Sequence, residues 1–407
     1  MAIFKKTISS AMSEKNVYLP SKPRYEILDG LRGVAALIIL VFHIFEDEFM
    51  WSRDPQWVNH GYLAVEFFFL LSGFVIGYAY DDRWDKMTVG GFFKRRLVRL
   101  HPMAIMATFI GVLLFYLGAD GFRLVNTAPA WKMIVCFVCA LFLIPLGPKM
   151  DIRGWDEMYP FNSPLWTLFY EYVANILYAL FIRKLPKWAL RILVAIFAVL
   201  LVDKAVGLGL FGGYTYNVGS MAGGWSWNKA GIYTGLARLL FPFFCGLLIQ
   251  RSGKMIKVKG AFWWCALALA IMLCMPRIGA MPSFDRATGV RDMGGAVYNG
   301  LYEAFCVICL MPLVIMMGAG GQISGKSAKL CKFVGDISFP LYITHYPIMY
   351  LHVQWLANHR EAPLGQHIYM ALAIITISIL VAYACYKLYD LPVREWLKEN
   401  WLKKGGR

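Results

Sequence analysis

The fold of this protein follows from one stretch of its sequence, Leu28-Asp29-Gly30-Leu31-Arg32-Gly33-Val34-Ala35-Ala36-Leu37-Ile38-Ile39-Leu40-Val41-Phe42-His43. An α-helix rises ~1.5 Å and turns ~100° per residue, so the eleven residues from Arg32 to His43 give about 16 Å of rise and return to nearly the same face. A bilayer's hydrocarbon core is about 30 Å thick. With Arg32 at one membrane surface, His43 would lie about halfway across. Because ionisable groups inside a membrane are costly, this arrangement predicts a functional site.

Composition places the whole chain in a membrane. Of its 407 residues, 59% are hydrophobic and 16% are charged, whereas soluble domains have about 25% charged residues. The net charge of +16 would also suit a nucleic-acid-binding protein. However, the basic residues lie in short segments between apolar runs, as the positive-inside rule predicts for membrane proteins. We therefore expect an integral membrane protein in contact with lipid, and no nucleic-acid partner.

Eleven apolar runs predict the topology. The first three end near residues 49, 80 and 118, and the others lie at about 131–146, 164–182, 188–202, 231–250, 261–275, 297–317, 334–357 and 369–389. The basic segments are 1–32, 83–99, 183–191, 251–259, 326–332 and 394–407. All six fall on one side if a single run before residue 183 fails to cross.

The weakest of these runs is 131–146, which is short and ends in Pro145, Gly147 and Pro148. We therefore predict an all-α, polytopic transmembrane bundle of about ten spans plus one re-entrant segment at 131–146. Both termini would be cytoplasmic. Under this topology Glu171 would lie on the outer half of the membrane, across from the cytoplasmic arginines.

Metal binding and secretion are not indicated. Two CxxC pairs occur, Cys136 with Cys139 and Cys306 with Cys309, but both lie inside apolar runs without further ligands at zinc spacing. We interpret them as small buried hydrophobic residues and expect no metal. Residues 1–24 are polar and basic without a signal-peptide core, which predicts a cytoplasmic lead, and 391–407 are predicted to form a basic cytoplasmic tail.

Four residues have the chemistry of a transfer site. A neutral imidazole such as His43 takes a proton from a hydroxyl near pH 7, although a lone histidine in a span also serves as a polar group satisfied by a neighbouring helix. Arg96 and Arg99 share a helix face at i, i+3, and guanidinium pairs bind phosphate in bidentate fashion. Arg32 would hold an anionic donor, or would only snorkel to the membrane surface.

Five segments in order resemble the membrane-bound acyltransferase 3 family. Besides the opening Arg-x10-His stretch they are Phe67–Phe74, Arg95–Pro102, Leu165–Glu171 and Ile337–Pro347. They delimit a domain at 25–390. The resemblance implies a catalytic role for His43 in acyl transfer and a donor-binding role for the Arg-x-x-Arg pair, Arg96 and Arg99, together with Arg32.

The resemblance also implies site residues in two later segments. The family usually has Trp-Ser-Leu-x-x-Glu where this chain has Trp166 and Glu171 with Thr167 in place of the serine. Glu171 would be catalytic by orienting His43, by contacting the acceptor, or by pairing with an arginine. Trp166, Tyr342 and His345 are candidate substrate-binding residues, and a structural role fits Tyr342 and His345 equally well.

These observations predict an O-acyltransferase of the bacterial cytoplasmic (inner) membrane. The resemblance implies transfer of an acyl group, in the first place acetyl, from cytoplasmic acetyl-CoA or another acyl-CoA. The acceptor would be a hydroxyl of a polysaccharide or lipid-linked glycan, such as an exopolysaccharide or lipopolysaccharide of the cell envelope. The alternatives are an acyl-relay subunit that needs a separate transferase, and a transporter or flippase of a lipid-linked glycan. Such transporters usually show pseudo-symmetric halves, and this sequence shows no internal repeat.

Three further features have simpler explanations. Ser72-Gly73 suits a close helix contact better than a nucleophile, and Glu66, an acid in an apolar run, would be paired or protonated. Two predicted outer loops, 203–230 and 276–296, are rich in aromatic or charged residues. Their aromatic residues would anchor the membrane surface or form a platform that faces a glycan; they are Phe211, Tyr214, Tyr216, Trp225 and Trp227.

Overall fold

The computed structural model describes residues 22–403 except 51, 53–54, 118–121, 123, 212–217, 281, 285–290 and 293. The loop aromatics Tyr214 and Tyr216 therefore lie outside the described residues, as do Asp285 and Arg286 of the second loop. Within the described part the regular secondary structure is helical apart from two two-residue strands, β1 (Ser283–Phe284) and β2 (Arg291–Asp292), which pair antiparallel. The predicted all-α class is confirmed.

The helices follow the apolar runs. They are α1 (Glu26–Glu48), α2 (Ala64–Tyr80, after a 3₁₀ turn at Gly61–Leu63), α3 (Val89–Leu113), α4 (Ala130–Leu141), α5 (Leu165–Leu180), α6 (Lys187–Val206), α7 (Lys229–Ser252), α8 (Ala261–Cys274), α9 (Ala296–Phe305), α10 (Met311–Gly320), α11 (Gly325–His359), α12 (Leu364–Ala384) and α13 (Leu391–Leu397). Short 3₁₀ turns lie at Val125–Thr127, Pro148–Met150 and Ile182–Lys184.

Two long helices contain π-helical turns. Cys306–Leu310 joins α9 to α10, Cys385–Asp390 joins α12 to α13, and Lys398–Lys403 continues the last helix. The predicted boundary between residues 390 and 391 therefore falls inside one continuous helix, Leu364–Lys403. Within the described part, six helices are long and apolar enough to cross a membrane, as a multi-pass membrane protein requires.

At the centre of the bundle α1 packs against α11. A side chain at Gly33 would meet the backbone carbonyl oxygen of Val334 at 2.5 Å, so the two backbones approach as closely as small residues permit. Further along, Arg32 bonds Ser338 and His43 stacks on His345. Residue numbers rise together on both helices, and the two therefore run parallel.

A second close seam joins α2 to α7. A Cβ at Gly73 would lie 1.8 Å from the carbonyl oxygen of Phe243, and one at Gly246 would lie 1.9 Å from that of Leu70. A clash with backbone cannot be relieved by a change of side-chain rotamer. The close approach of α2 and α7 therefore requires glycine at both positions. The interpretation of Ser72-Gly73 as a close helix contact is confirmed.

One end of the bundle, here called the N-terminal end, is defined by ion pairs. Lys22 donates to the carbonyl of Tyr78 and pairs with Asp82. Arg251, at the end of α7, bonds both carboxylate oxygens of Asp81 at 2.7 and 3.1 Å. It also donates to the backbone carbonyl of Arg183. The basic segment that begins at Arg183 thus lies at the same end as Lys22, in agreement with the charge pattern.

The short helix α4 makes no net crossing. Tyr178, near the end of α5, donates to Asp81 at 2.8 Å, so α5 ends at the N-terminal end, where α3 begins. The chain between α3 and α5 therefore starts and finishes at the opposite end, and the end of α3 touches Phe161 just before α5 begins. Twelve helical residues span only about 18 Å, which is well short of a ~30 Å core.

Candidate functional site

A cavity of about 420 Å³ opens between α1, α2, α3, α5 and α11 in the half of the bundle nearer the N-terminal end. We call it the basic cavity, because seven arginines and Lys22 line it against four carboxylates, Asp29, Glu171, Asp336 and Asp390. It brings together five of the predicted site residues, namely Arg32, Arg96, Arg99, Glu171 and Tyr342. The surplus of positive charge suits an anionic ligand.

Arg32 is held in a fixed orientation on one wall. Its Nε donates to Ser338 Oγ at 2.7 Å, its Nη2 donates to the carbonyl of Gly335 at 3.0 Å, and Nη2 also pairs with Asp29 at 3.1 Å. The parallel packing of α1 on α11 supplies the first two partners. A planar guanidinium fixed on one edge presents its remaining N–H groups in a defined direction.

Glu171 and Arg96 form an ion pair inside the cavity, and Ser72 Oγ donates to the same carboxylate at 2.5 Å. Of the three roles left open for Glu171, pairing with an arginine is the one found. The expectation that Glu171 faces the arginines from the outer half of the membrane is wrong. Only seven residues, about 10 Å of helix, separate Glu171 from Tyr178 at the N-terminal end.

Arg99 differs from its neighbour one turn earlier. Its side chain is exposed and lines the cavity, and it makes no hydrogen bond or ion pair with any residue that the structure describes. Arg96 is buried, with its Nε lacking a partner in the described part of the chain. The Arg-x-x-Arg pair thus offers one open guanidinium and one that a resident carboxylate neutralises.

The second predicted centre, His43, lies outside the cavity lining. Its Nδ1 donates to Glu46 Oε2 at 2.9 Å across one helical turn. The ring stacks on His345 with centroids 5.4 Å apart and meets the edge of Tyr346 at 4.9 Å. We call these four residues the histidine cluster. Because Nδ1 carries the proton, the other ring nitrogen is left to accept one.

Glu46 was missed as a partner of His43. Glu46 begins the acidic run Glu46-Asp47-Glu48 at the end of the first apolar run, and its i, i+3 spacing from His43 is that of two side chains on one helix face. Asp47 and Glu48 point elsewhere, since both contact His352 and Glu48 also contacts His367. Glu46 therefore lies beside His43, whereas Glu171 lies in the basic cavity beside Arg96.

The three candidate substrate residues occupy different surroundings. Tyr342 donates to Thr167 Oγ1 at 3.0 Å, so the threonine that departs from the family pattern still supplies a hydroxyl acceptor. The indole of Trp166 packs on Gly224 and lies under the guanidinium of Arg238. His345 Nδ1 donates to the carbonyl of Tyr342 at 2.8 Å, and its buried Nε2 has no partner among the described residues.

A buried ion pair explains Glu66. Arg238 donates to both of its carboxylate oxygens, and also to the carbonyls of Gly223 and Tyr62 at 2.7 Å each. The predicted pairing of Glu66 is confirmed. Since Gly223 belongs to the loop between α6 and α7, this network fixes that loop against α2 and below Trp166. The role of Trp225 and Trp227 in that loop stays a prediction.

Comparisons with known proteins point to one family. The family model described as an acyltransferase domain matches residues 25–387. Protein 2 in picA locus of Rhizobium radiobacter is 34% identical over 194 residues, which is 45% of this chain and 95% of that protein. Acyltransferase MdmB of Streptomyces mycarofaciens is 30% identical over 178 residues, 41% of this chain and 42% of that protein.

A longer match covers nearly all of this chain. O-acetyltransferase OatA of Staphylococcus aureus is 25% identical over 392 residues, which is 92% of this chain but 58% of OatA. The chain thus spans little more than half the length of that relative. No solved structure gives a significant match. Because the acyltransferase model covers most of the chain and all five quoted segments, the chain belongs to the acyltransferase 3 family.

Proposed function

We propose that this protein is an O-acyltransferase that moves an acyl group, in the first place acetyl, from cytoplasmic acyl-CoA to a hydroxyl of a cell-envelope or extracellular polysaccharide. The observation that supports this most is the basic cavity at one end of α1 with His43 further along the same helix. The rise from Arg32 to His43 is about 16 Å. This distance separates a place for a charged donor from a place for a base.

Acyl-CoA suits the basic cavity chemically. Coenzyme A presents a diphosphate and a ribose phosphate, and guanidinium groups bind phosphate oxygens in bidentate fashion. Arg99, which has no partner among the described residues, would make the first such contact, and Arg32 and Arg96 would add theirs from fixed positions. The uncharged pantetheine arm would then extend from the cavity along α1 toward His43.

The proposed chemistry is a general-base acyl transfer. The free nitrogen of His43 removes the proton from the acceptor hydroxyl while the hydroxyl oxygen attacks the thioester carbonyl. The new C–O bond forms, the C–S bond breaks, and the thiolate of coenzyme A takes up the proton that His43 received. Glu46 holds Nδ1–H and stabilises the imidazolium in between. The products are an ester and free coenzyme A.

The transfer requires a definite topology. We propose ten spans and one re-entrant segment, α4, in the cytoplasmic membrane of a bacterium with both termini in the cytoplasm. The contacts of Arg251 with Asp81 and with the carbonyl of Arg183 support this, since they place the basic segments together. Donor phosphates would then meet the N-terminal end, and the acceptor would approach His43 from the other side.

Cysteine labelling tests the topology with two matched variants. Lys149→Cys and Lys187→Cys, each in a cysteine-free background, change exposed lysines on the two sides of α5. A membrane-impermeant maleimide added to spheroplasts should label position 149 and leave position 187 protected until the cells are lysed. Equal protection of both positions would contradict a re-entrant α4.

The activity itself is tested in two steps. Envelope and secreted glycans of a strain without the gene should lose an ester that returns with the wild-type gene and not with His43→Ala. The purified protein in lipid nanodiscs should release free coenzyme A from acetyl-CoA when that glycan is added. Loss of the glycan itself, with its ester content per sugar unchanged, would instead indicate transport.

A second candidate is an acyl-relay subunit that hands the acyl group to a separate transferase. The observation in its favour is the separation of the basic cavity from His43, which lies outside the cavity lining. Under this function the purified protein would consume acetyl-CoA with the glycan only after a second envelope protein is added. Esterification of the glycan by the purified protein alone would exclude it.

A further inference from the structure

The last helix reaches the basic cavity, although its basic residues look like an ordinary cytoplasmic tail. Tyr386 and Asp390, from the π-helical turn after α12, line the cavity together with Arg394 of α13. In a regular α-helix a row at i, i+4 and i+8 drifts by about 40° per step. A π-helical turn holds more residues per turn and opposes that drift. It thereby keeps all three side chains on the cavity face.

Contacts at the start of this row fix it in place. The hydroxyl of Tyr386 bonds to Asp336 of α11, and Arg24 pairs with the same carboxylate at 2.9 Å. The cavity end of α12 is thus tied to both central helices.

Two atoms of the row are buried without a partner in the described part of the chain. Arg394 Nη2 pairs with Asp390 Oδ2 at 2.7 Å, but Arg394 Nε and Asp390 Oδ1 remain unsatisfied. Buried polar atoms without partners are rare in native proteins and call for an explanation. Here the partnerless Arg394 Nε belongs to a residue that lines a cavity rich in guanidinium groups, and an anion would satisfy it.

We propose that Arg394 is a phosphate-binding residue of the acyl donor site and that Asp390 is its resident counter-ion, which the donor's phosphate displaces. This inference rests on the proposed function, because it names a further contact for the same donor. Phosphate binding replaces one ion pair of Arg394 by a stronger, multiply charged one. Asp390 lines the same cavity as Arg99. Its negative charge repels the bound phosphate and so weakens binding of the donor.

The test is the affinity of purified protein for coenzyme A, measured by calorimetry in a neutral detergent. Arg394→Gln should weaken binding by about tenfold or more, the usual effect of losing a charged hydrogen bond. Asp390→Asn should tighten binding by about threefold, because it keeps the shape of the side chain and removes the opposing charge. Lys387→Gln, a cation of the same segment that lies over Tyr383 and Tyr386, should bind as wild type.

A double variant controls for misfolding of Arg394→Gln. Arg394→Gln alone leaves a buried carboxylate uncompensated, whereas Asp390→Asn with Arg394→Gln removes both charges. The double variant should bind coenzyme A about tenfold more weakly than Asp390→Asn alone. Phosphatidylglycerol added to the detergent should not compete with coenzyme A; competition that disappears in Arg394→Gln would assign the arginine to a lipid headgroup and overturn the inference.

Failure of this inference is distinguishable from failure of the proposed function. Normal coenzyme A binding by Arg394→Gln, together with weak binding by Arg99→Gln, would remove the last helix from the site and leave the donor assignment intact. No binding of coenzyme A by the wild-type protein would overturn the donor assignment itself.

Discussion

The basic cavity and the histidine cluster share two helices, α1 and α11, but use their side chains in opposite ways. In the cavity, arginines project into open space, and Arg32, Arg96 and Arg394 each have a resident carboxylate. In the histidine cluster, His43 is almost enclosed by rings and by Glu46, and its side chain is 15% exposed. One region concentrates positive charge and the other fixes the direction of a single ring.

Helix α1 thus contributes to two regions with different chemical requirements. A multiply charged donor needs several cations and access from water, whereas a base works only if its ring is held in one tautomer at one angle. The ~16 Å between Arg32 and His43 lets both conditions hold without one region neutralising the other. Donor binding and the transfer step should therefore respond to different substitutions.

The largest effect is expected for His43→Ala. It should reduce glycan ester by at least about a hundredfold, the usual effect of losing a general base, while the affinity for coenzyme A stays within about twofold of wild type. Ester content and calorimetry measure the two quantities. A variant that lost both together would show that the regions are not separate.

Arg99→Gln should give the reverse pattern. We expect coenzyme A affinity to fall about tenfold or more, because a charged hydrogen bond to phosphate is lost, and Arg99→Lys should recover only part of it because a point charge lacks the planar fork. Lys94→Gln is the matched control, since Lys94 lies over Trp401 and not in the cavity. Equal losses for Lys94→Gln and Arg99→Gln would indicate a general charge effect.

Substitutions of Glu46 test the histidine cluster alone. Glu46→Gln should slow transfer at saturating acetyl-CoA by about tenfold, because the imidazolium loses its counter-charge, and should leave coenzyme A affinity unchanged. Glu46→Ala should be slower still, since it also frees the ring. Glu48→Gln is the control, because Glu48 lies two residues further along α1 and contacts His352 and His367 instead of His43. A purely structural role for Glu46 would make Glu46→Gln indistinguishable from this control.

Glu171→Gln should affect the basic cavity and not the histidine cluster. It keeps an acceptor for Ser72 and removes a negative charge beside Arg96, so coenzyme A should bind about threefold more tightly with the saturated transfer rate unchanged. Calorimetry and a single-turnover assay measure these. A hundredfold loss of transfer at unchanged affinity would restore Glu171 to the chemistry.

The smallest effect concerns the wall behind the histidine cluster. Burial raises the pKa of Glu157, in the loop before α5, to about 7, while Tyr350 donates to its carboxylate. A carboxyl with a raised folded pKa loses stability as pH rises from its unfolded value to its folded one. Glu157→Gln should therefore match wild type at pH 5 and be more stable at pH 8 by about 1–3 kcal/mol. Thermal unfolding at the two pH values measures this; equal stability at pH 8 would mean that the carboxylate is ionised without cost.

Local periodicity explains what was predictable in the site. The register of Arg32 with His43 and the shared face of Arg96 with Arg99 depend only on the geometry of one helix, so the sequence was enough. The same rule would have found Glu46, three residues after His43. It was overlooked because three acids in a row also mark the end of a span.

Helical periodicity could not predict contacts between helices that are distant in the chain. Glu171 fits an outer position by its place in the chain, yet α5 carries it to Arg96. Arg394 fits a cytoplasmic tail by charge alone, yet a π-helical turn keeps it on the cavity face. Arg96 lies 75 residues from Glu171 in the chain, and the cavity that Arg394 reaches is lined mainly by helices far from it in the sequence.

By itself the sequence determined the membrane class, the all-α fold, the family and the register of Arg32 with His43 on α1, because hydrophobicity and helical period act locally. Only the tertiary structure decided which carboxylate meets which cation. That choice depends on the glycine seams at Gly33, Gly73 and Gly246, where helices far apart in the chain approach within backbone contact. Small residues permit such an approach, and the partner, direction and depth follow from packing of the whole bundle.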